Sequence, residues 1–243
     1  MNFRFRCALG AIIFPALAAV SAQTQAQTWG LATELELGAV FTSGNTKDEN
    51  VRFRARFDAE RDDWAYRLTL DGFRSSKQDQ LAAQRLYTVG SATYSFDPDN
   101  FLMTRAAHED DRFSGYKSQS DVSVSYGQVQ LRDREEMTLR YTVGAGMRMS
   151  RGSANGADDF DEAIVRLSTD YTWDLSDNAR FLQSLSVDAG ERSSIARSET
   201  AIESDIMNNL SMKFAVKVRH QTEVPVNRKK TDTEAAVTLM LKF

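Results

Sequence analysis

The 243-residue chain contains two histidines, His108 and His220, and one cysteine, Cys7. Chemistry that needs an activated nucleophile or a soft metal ligand therefore has few starting points. The densest group of bases and ligands is His108-Glu109-Asp110-Asp111, with Ser114 and Ser118 just beyond it. A membrane lipid-modifying hydrolase can be built from a histidine, a serine nucleophile and an orienting group, but this stretch carries no nucleophile signature. Asp110-Asp111 and Asp158-Asp159-Asp161-Glu162 could offer oxygens to a divalent cation. Their spacing matches no calcium-loop motif, and acidic residues are ordinary at solvated loop ends. Ser43-Gly44-Asn45 and Gly152 to Gly156 resemble phosphate-cradling loops only superficially, because neither opens a helix and a hairpin turn explains both. No catalytic residue, cofactor site or metal site is expected.

A second group is more ordered. Glu34 and Glu36 are followed by Arg52, Arg54 and Arg56, and Glu203 and Asp205 by Lys213, Lys217 and Arg219, then Asp232 and Glu234. Within each set the charges fall mostly on alternate residues, and consecutive sets carry opposite sign. On neighbouring strands such sets attract at ~0.2–1 kcal/mol per favourable pair. They could line a narrow aqueous passage and bias which small solutes cross, or cross-link and fill the interior. Pairing by sign favours a constricted interior, and both roles use the same residues.

These side chains share a face only if the chain is extended, and the period of two runs through everything after Trp29. From Asn50 to Glu60, Val51, Phe53, Ala55, Phe57 and Ala59 oppose Arg52, Arg54, Arg56, Asp58 and Glu60; a helix would scatter those arginines around its axis. Met137–Arg151, Leu210–Gln221 and the final segment ending at Phe243 repeat the pattern. Further strands are expected at Leu31–Thr42, Trp64–Phe73, Gln84–Phe96, Phe101–Asp110, Ser120–Leu131, Asp161–Trp173, Ala179–Gly190 and Glu199–Met207. The facing of Phe101–Asp110 and Ala179–Gly190 stays open. Together these make about twelve strands, an even number as in bacterial barrels.

The connections are expected to alternate. Short turns fall at Arg61-Asp62-Asp63, Asp97–Asn100, Arg132–Glu136, Asp174–Asn178 and Asn208-Asn209. Longer loops fall at Ser43–Glu49, Arg74–Ala83, Asp111–Gln119, Gly152–Phe160, Glu191–Ser198 and Thr222–Thr231. Trp64, Tyr66, Tyr94, Phe96, Phe101, Tyr171, Trp173 and Phe181 cluster beside the short turns, where an interfacial girdle would sit. The fold class implied is all-β: a single antiparallel up-and-down transmembrane barrel.

Composition agrees. Charged residues make up 26% of the chain and mean hydropathy is −0.44, which excludes a bundle of membrane helices. Arg4 and Arg6, the apolar stretch Ala8–Val20 and the small residues Val20-Ser21-Ala22 read as a secretory signal peptide over residues 1–22, with Ala26 as a later cleavage point. The barrel domain is then 23–243. Loss of Arg4 and Arg6 takes the net charge from −4 to about −6, which argues against a nucleic-acid partner. The expected location is the outer membrane of a Gram-negative bacterium. Expected partners are outer-membrane lipid, the barrel-assembly machinery and small solutes.

Specific strings carry a resemblance. His108–Tyr116 (HEDDRFSGY), Arg166–Gly190, the end Arg228–Phe243 (RKKTDTEAAVTLMLKF), Thr42–Thr46 and Ser198–Ile202 resemble the salt-induced outer membrane protein family, YdiY-like, a domain of unknown function. The resemblance implies an outer-membrane barrel linked to salt or osmotic conditions and brings no reaction or substrate with it. The terminal Phe243 is similar to the signal by which barrels are recognised for insertion. The expected function is a non-enzymatic narrow channel or envelope-maintenance barrel. The alternatives are a structural or interaction barrel with a blocked lumen, and a lipid-modifying enzyme using His108.

Overall fold

The computed structural model describes residues 29–43, 49–77, 80–111, 116–131, 134–152, 158–224 and 228–243. They form twelve strands: β1 Gly30–Ser43, β2 Glu49–Arg61, β3 Trp64–Lys77, β4 Gln80–Ser95, β5 Asn100–Asp111, β6 Tyr116–Gln130, β7 Met137–Gly152, β8 Phe160–Ser176, β9 Ala179–Gly190, β10 Ser194–Met207, β11 Leu210–Gln221 and β12 Thr231–Lys242. Each pairs antiparallel with its neighbours, and β12 returns to β1 to close the barrel. Closure removes both unpaired edges. Beyond Lys242, Phe243 exchanges backbone hydrogen bonds with Thr33 at 2.8 and 3.0 Å, so the last residue belongs to the seam. The segment expected to be a signal peptide lies outside the described residues.

Alternation decides the two faces. On β2 Val51, Phe53 and Phe57 are exposed on the outside, while Arg52 is 2% exposed within. Leu35, Leu37, Val122, Val124, Val143, Met147, Val165, Leu167, Met212 and Phe214 continue the apolar outer surface. The inversion relative to a water-soluble protein, apolar outside and charge inside, is what a lipid-facing barrel requires.

At the end carrying the short turns, aromatic rings form a belt. Trp64 stacks on Tyr66 with centroids 6.0 Å apart and meets Tyr94 at 5.0 Å; Tyr94 meets Phe96 at 5.4 Å, and Tyr171 meets Phe181 at 6.3 Å. Tyr126 and Gln128 donate to the Asn100 side chain. The Asp97 turn is stitched by the Asn100 amide and by the backbone N–H groups of Asp99 and Asn100, bonds that hold the Asp97 carboxyl below the usual carboxylate range.

Three expectations need correction. The proposed loop Arg74–Ala83 is mostly strand, because β3 runs to Lys77 and β4 begins at Gln80. Glu191–Ser198 is strand from Ser194 onward, so long and short connections do not strictly alternate. The sequence runs Arg74–Gln80 and Glu191–Ser194 are wholly polar, so the period-two signal that marks a half-buried strand disappears there. Phe101 is not in the aromatic belt. Odd residues of β5 point inward, and Phe101 is 3% exposed beneath the Arg140 guanidinium, 3.9 Å from its ring.

That inward ring rests on Gly127, where an added Cβ would lie 2.1–2.8 Å from Phe101. Gly127→Ala is therefore expected to destabilise the barrel by about 1–3 kcal/mol through overpacking. Gly90→Ala, with nothing within 4 Å of the new methyl, should change it by less than about 0.5 kcal/mol. Equilibrium unfolding of the detergent-folded barrel in urea compares the two.

Candidate functional site in the barrel lumen

Inward-facing charges from ten of the strands meet in the middle of the lumen. Asp71 on β3 is a hub: it accepts from Arg52, from Arg54 at 2.8 Å and from Lys217 at 3.3 Å. Glu199 on β10 receives Arg54 at 3.2 Å, Lys213 at 3.1 Å and Lys217 at 3.2 Å. Glu36 lies 3.5 Å from Lys213 and 3.6 Å from Arg54. Glu234 pairs with Arg52 and, at 2.9 Å, with Arg85.

A second group lies alongside. Glu109 on β5 faces Arg219 on β11 at 3.6 Å and Arg197 on β10 at 3.7 Å, and Asp188 holds Arg166 and Arg197. Arg219 also donates to Gln119 on β6 at 2.9 Å. Since β5 and β11 stand six places apart in a ring of twelve, the Glu109–Arg219 pair crosses the full lumen.

The partners differ from those that charge order alone suggested. Arg56 does pair with Glu34 across the β1–β2 ladder at 2.7 Å. Glu203 and Asp205 instead bind Lys242, Asp205 at 3.0 Å. Lys213 and Arg219 reach past their ladder neighbours to Glu36 and Glu109, and Lys217 binds both its ladder neighbour Glu199 and, farther round, Asp71. Asp232 faces Arg219 in the ladder and lines the lumen. A closed barrel lets long side chains choose partners across the interior, which no adjacent-strand rule anticipates.

The two halves of the lumen differ. Toward the loop end, Tyr116, Phe160, Ile164 and Ile195 are buried beside Ser150 and Gln221. Arg148 binds Glu162 at 2.6 Å, and Glu162 accepts the backbone N–H of Arg192 at 2.8 Å. This draws the Glu191–Ser193 turn onto the rim, and Ser193 is buried there. Toward the turn end, Arg67, Asp170, Ser184 and Asp205 on the same inner face are exposed. A cavity of about 420 Å³ runs past the central charges, from Arg67 and Asp170 to Gln84, Asp111 and Asp232 nearer the loops, walled by Tyr87, Met103, Ser168 and Ser186.

The other chemical candidates disperse. His108 points outward from β5 and bonds Ser120 Oγ through Nδ1 at 2.7 Å, while the adjacent Glu109 is a lumen residue. Ser114 lies outside the described residues. His220 also faces outward, bonded to Thr231 at 2.8 Å. Asp161 pairs outward with Arg151 at 2.6 Å, Glu162 inward with Arg148, and Asp159 accepts the Gly152 N–H at 2.8 Å. Alternation thus splits both acidic groups between two faces. Asp71, Arg85, Glu109, Asp188, Arg197 and Glu199 were missed as site residues. The plain alternation of Trp64–Phe73 could have revealed Asp71, whereas on β5 outward Thr104, His108 and Asp110 hide the phase.

Residues 35–243 match the family model described as a protein of unknown function, DUF481. The chain belongs to this family. It is 24% identical over 209 residues to the uncharacterized protein YdiY of Escherichia coli strain K12, covering 86% of this chain and 81% of that one. Among solved structures the barrel is similar to the NanC porin, with a TM-score of 0.59 at 8% identity over 86% of this chain and all of the porin. It is also similar to an outer membrane channel from Pseudomonas putida F1, with a TM-score of 0.54 at 8% identity over 93% and 100% of the two chains. The family member described here therefore has an outer-membrane-type barrel fold like those of porins and channels.

Because Asp71 is buried among three cations, Asp71→Asn leaves buried positive charge uncompensated. The expected loss is about 3–5 kcal/mol, against less than about 1 kcal/mol for Asp161→Asn in the exposed pair with Arg151. Urea midpoints of the two variants, measured beside wild type, check the difference.

Proposed function

We propose that this chain is a non-enzymatic outer-membrane barrel whose lumen is a narrow, ion-paired passage for small solutes. The observation that carries the reading is the network joining Arg54 to Glu199, Lys217 to Asp71, Arg85 to Glu234 and Arg219 to Glu109 across the interior. It constricts the lumen, and the cavity that runs along the barrel interior passes between these charges. The apolar outer face and the aromatic belt support a position in the outer membrane, with the turn end toward the periplasm. Export by residues 1–22 or 1–26 and recognition of Phe243 by the assembly machinery complete the proposal. The family resemblance adds a link to salt or osmotic conditions; ion pairs are the feature through which ionic strength would act, though burial protects them from most screening.

A second reading, an envelope barrel with a blocked lumen, is favoured by one observation: Tyr116, Phe160, Ile164 and Ile195 are buried at the loop end. Planar-bilayer recording separates the two. A passage gives small, discrete current steps, and the Arg54→Ala/Glu199→Ala variant enlarges them several-fold. A barrel that folds and stays silent, in wild type and variant alike, contradicts the passage and leaves the structural role.

A further inference from the structure

A hairpin turn that simply continues a barrel wall meets only the strands beside it. The Glu191–Ser193 turn, between β9 and β10, reaches farther. Its Ser193 carbonyl accepts from Arg148 on β7, and the Ser193 hydroxyl accepts from Gln221 on β11 at 3.3 Å. Those strands stand four places apart in the ring. Both side chains are buried in the interior, so the turn bends inward over the loop end, and Ser193 is 1% exposed. One carboxylate makes its seat. Glu162 Oε1 accepts from the Arg148 guanidinium at 2.6 and 3.1 Å, and Oε2 accepts the backbone N–H groups of Arg192 and Ser193 at 2.8 and 3.3 Å. Gly190 admits this carboxylate, since an added Cβ would lie 2.4 Å from Oε2. Around the clamp, the Arg192 guanidinium lies over the Phe160 ring at 4.5 Å, and Phe160 meets Tyr116 edge-on at 6.1 Å. Ile164 and Ile195, two residues farther into the barrel, are buried.

We infer that the Glu191–Ser193 turn is a plug that closes this arc of the loop-end mouth, and that Glu162 is the latch that holds it in. Hydrogen bonds from backbone N–H groups to an ionised carboxylate are about twice as strong as neutral ones, so one side chain seats the whole turn. Without that carboxylate, two turn amides lose their acceptor and Arg148 loses its counterion. Burial of the turn then no longer offsets the hydration it gives up. The turn moves outward, and the inner face opens to water at this end. The inference concerns how the lumen is closed, and stands whether or not any solute crosses.

Thiol protection tests it on the full chain, with Cys7→Ser removing the single native thiol and Ser193→Cys placing one on the plug. The probe is a maleimide carried on polyethylene glycol, which labels accessible thiols and retards the labelled band on a gel. With the turn seated, the detergent-folded barrel should label slowly. Glu162→Ala should speed labelling at least about tenfold, because opening the turn no longer breaks charge-assisted bonds. Gly190→Ala, which keeps both charges but fills the seat of the carboxylate, should do the same. Asp161→Ala, on the outward neighbour, should leave the rate unchanged. Heat-dependent gel mobility identifies the folded barrel in each case. Rapid labelling of position 193 before either latch variant is introduced overturns the plug. Protection that persists in whichever of Glu162→Ala and Gly190→Ala folds overturns the latch.

Discussion

Charge buried inside the barrel has to be paired, and the rest of the structure follows from that constraint. Arg52, Asp71, Glu109 and Asp188 are all nearly inaccessible to water. Each ion removed from water costs several kcal/mol unless neighbours restore what the solvent supplied. The barrel meets that cost by sharing. Asp71 gathers cations from β2 and β11, and Glu199 gathers them from β2 and β11 as well. The backbone ladder fixes each strand to its two neighbours; the charges tie strands that the ladder never joins.

The same network explains the shape of the lumen. Where it lies, the lumen is crossed by charged side chains, and beyond it the loop end is packed with Tyr116, Phe160, Ile164 and Ile195. On the turn side of it, Ser168, Ser184 and Ser186 make the wall hydroxyl-rich. Small inner residues serve this arrangement as much as the charges do. Gly127 makes room for the Phe101 ring, and Gly190 leaves space for the Glu162 carboxylate, whose oxygens would lie 2.4 and 2.8 Å from an added Cβ. The interior thus collects charge and hydroxyl groups, and the exterior apolar side chains.

The outline of the fold was legible in the sequence because a barrel wall writes its environment into every second residue. The arginines of β2 and the lysines of β11 could be set on the inner face from alternation alone. Boundaries failed at Arg74–Ala83 and Glu191–Ser198, where the wholly polar runs Arg74–Gln80 and Glu191–Ser194 carry no alternation to read. Partner choice failed for a different reason. Which carboxylate Lys217 or Arg219 meets depends on curvature and on the stagger of strands several places apart, and neither is written in a single strand. His108 shows the opposite limit: four clustered residues suggested a site, and alternation sent Glu109 inward and His108 outward.

The central claim is that ion pairs spanning the lumen hold its walls together. A double-mutant cycle on Arg54 and Glu199 tests it most directly. These residues stand on strands four places apart in the ring and form two parallel hydrogen bonds of 3.3 and 3.2 Å. With unfolding in urea measured for wild type, Arg54→Ala, Glu199→Ala and the double variant, a coupling energy of about 1–3 kcal/mol is predicted. Strictly additive single effects would contradict the account.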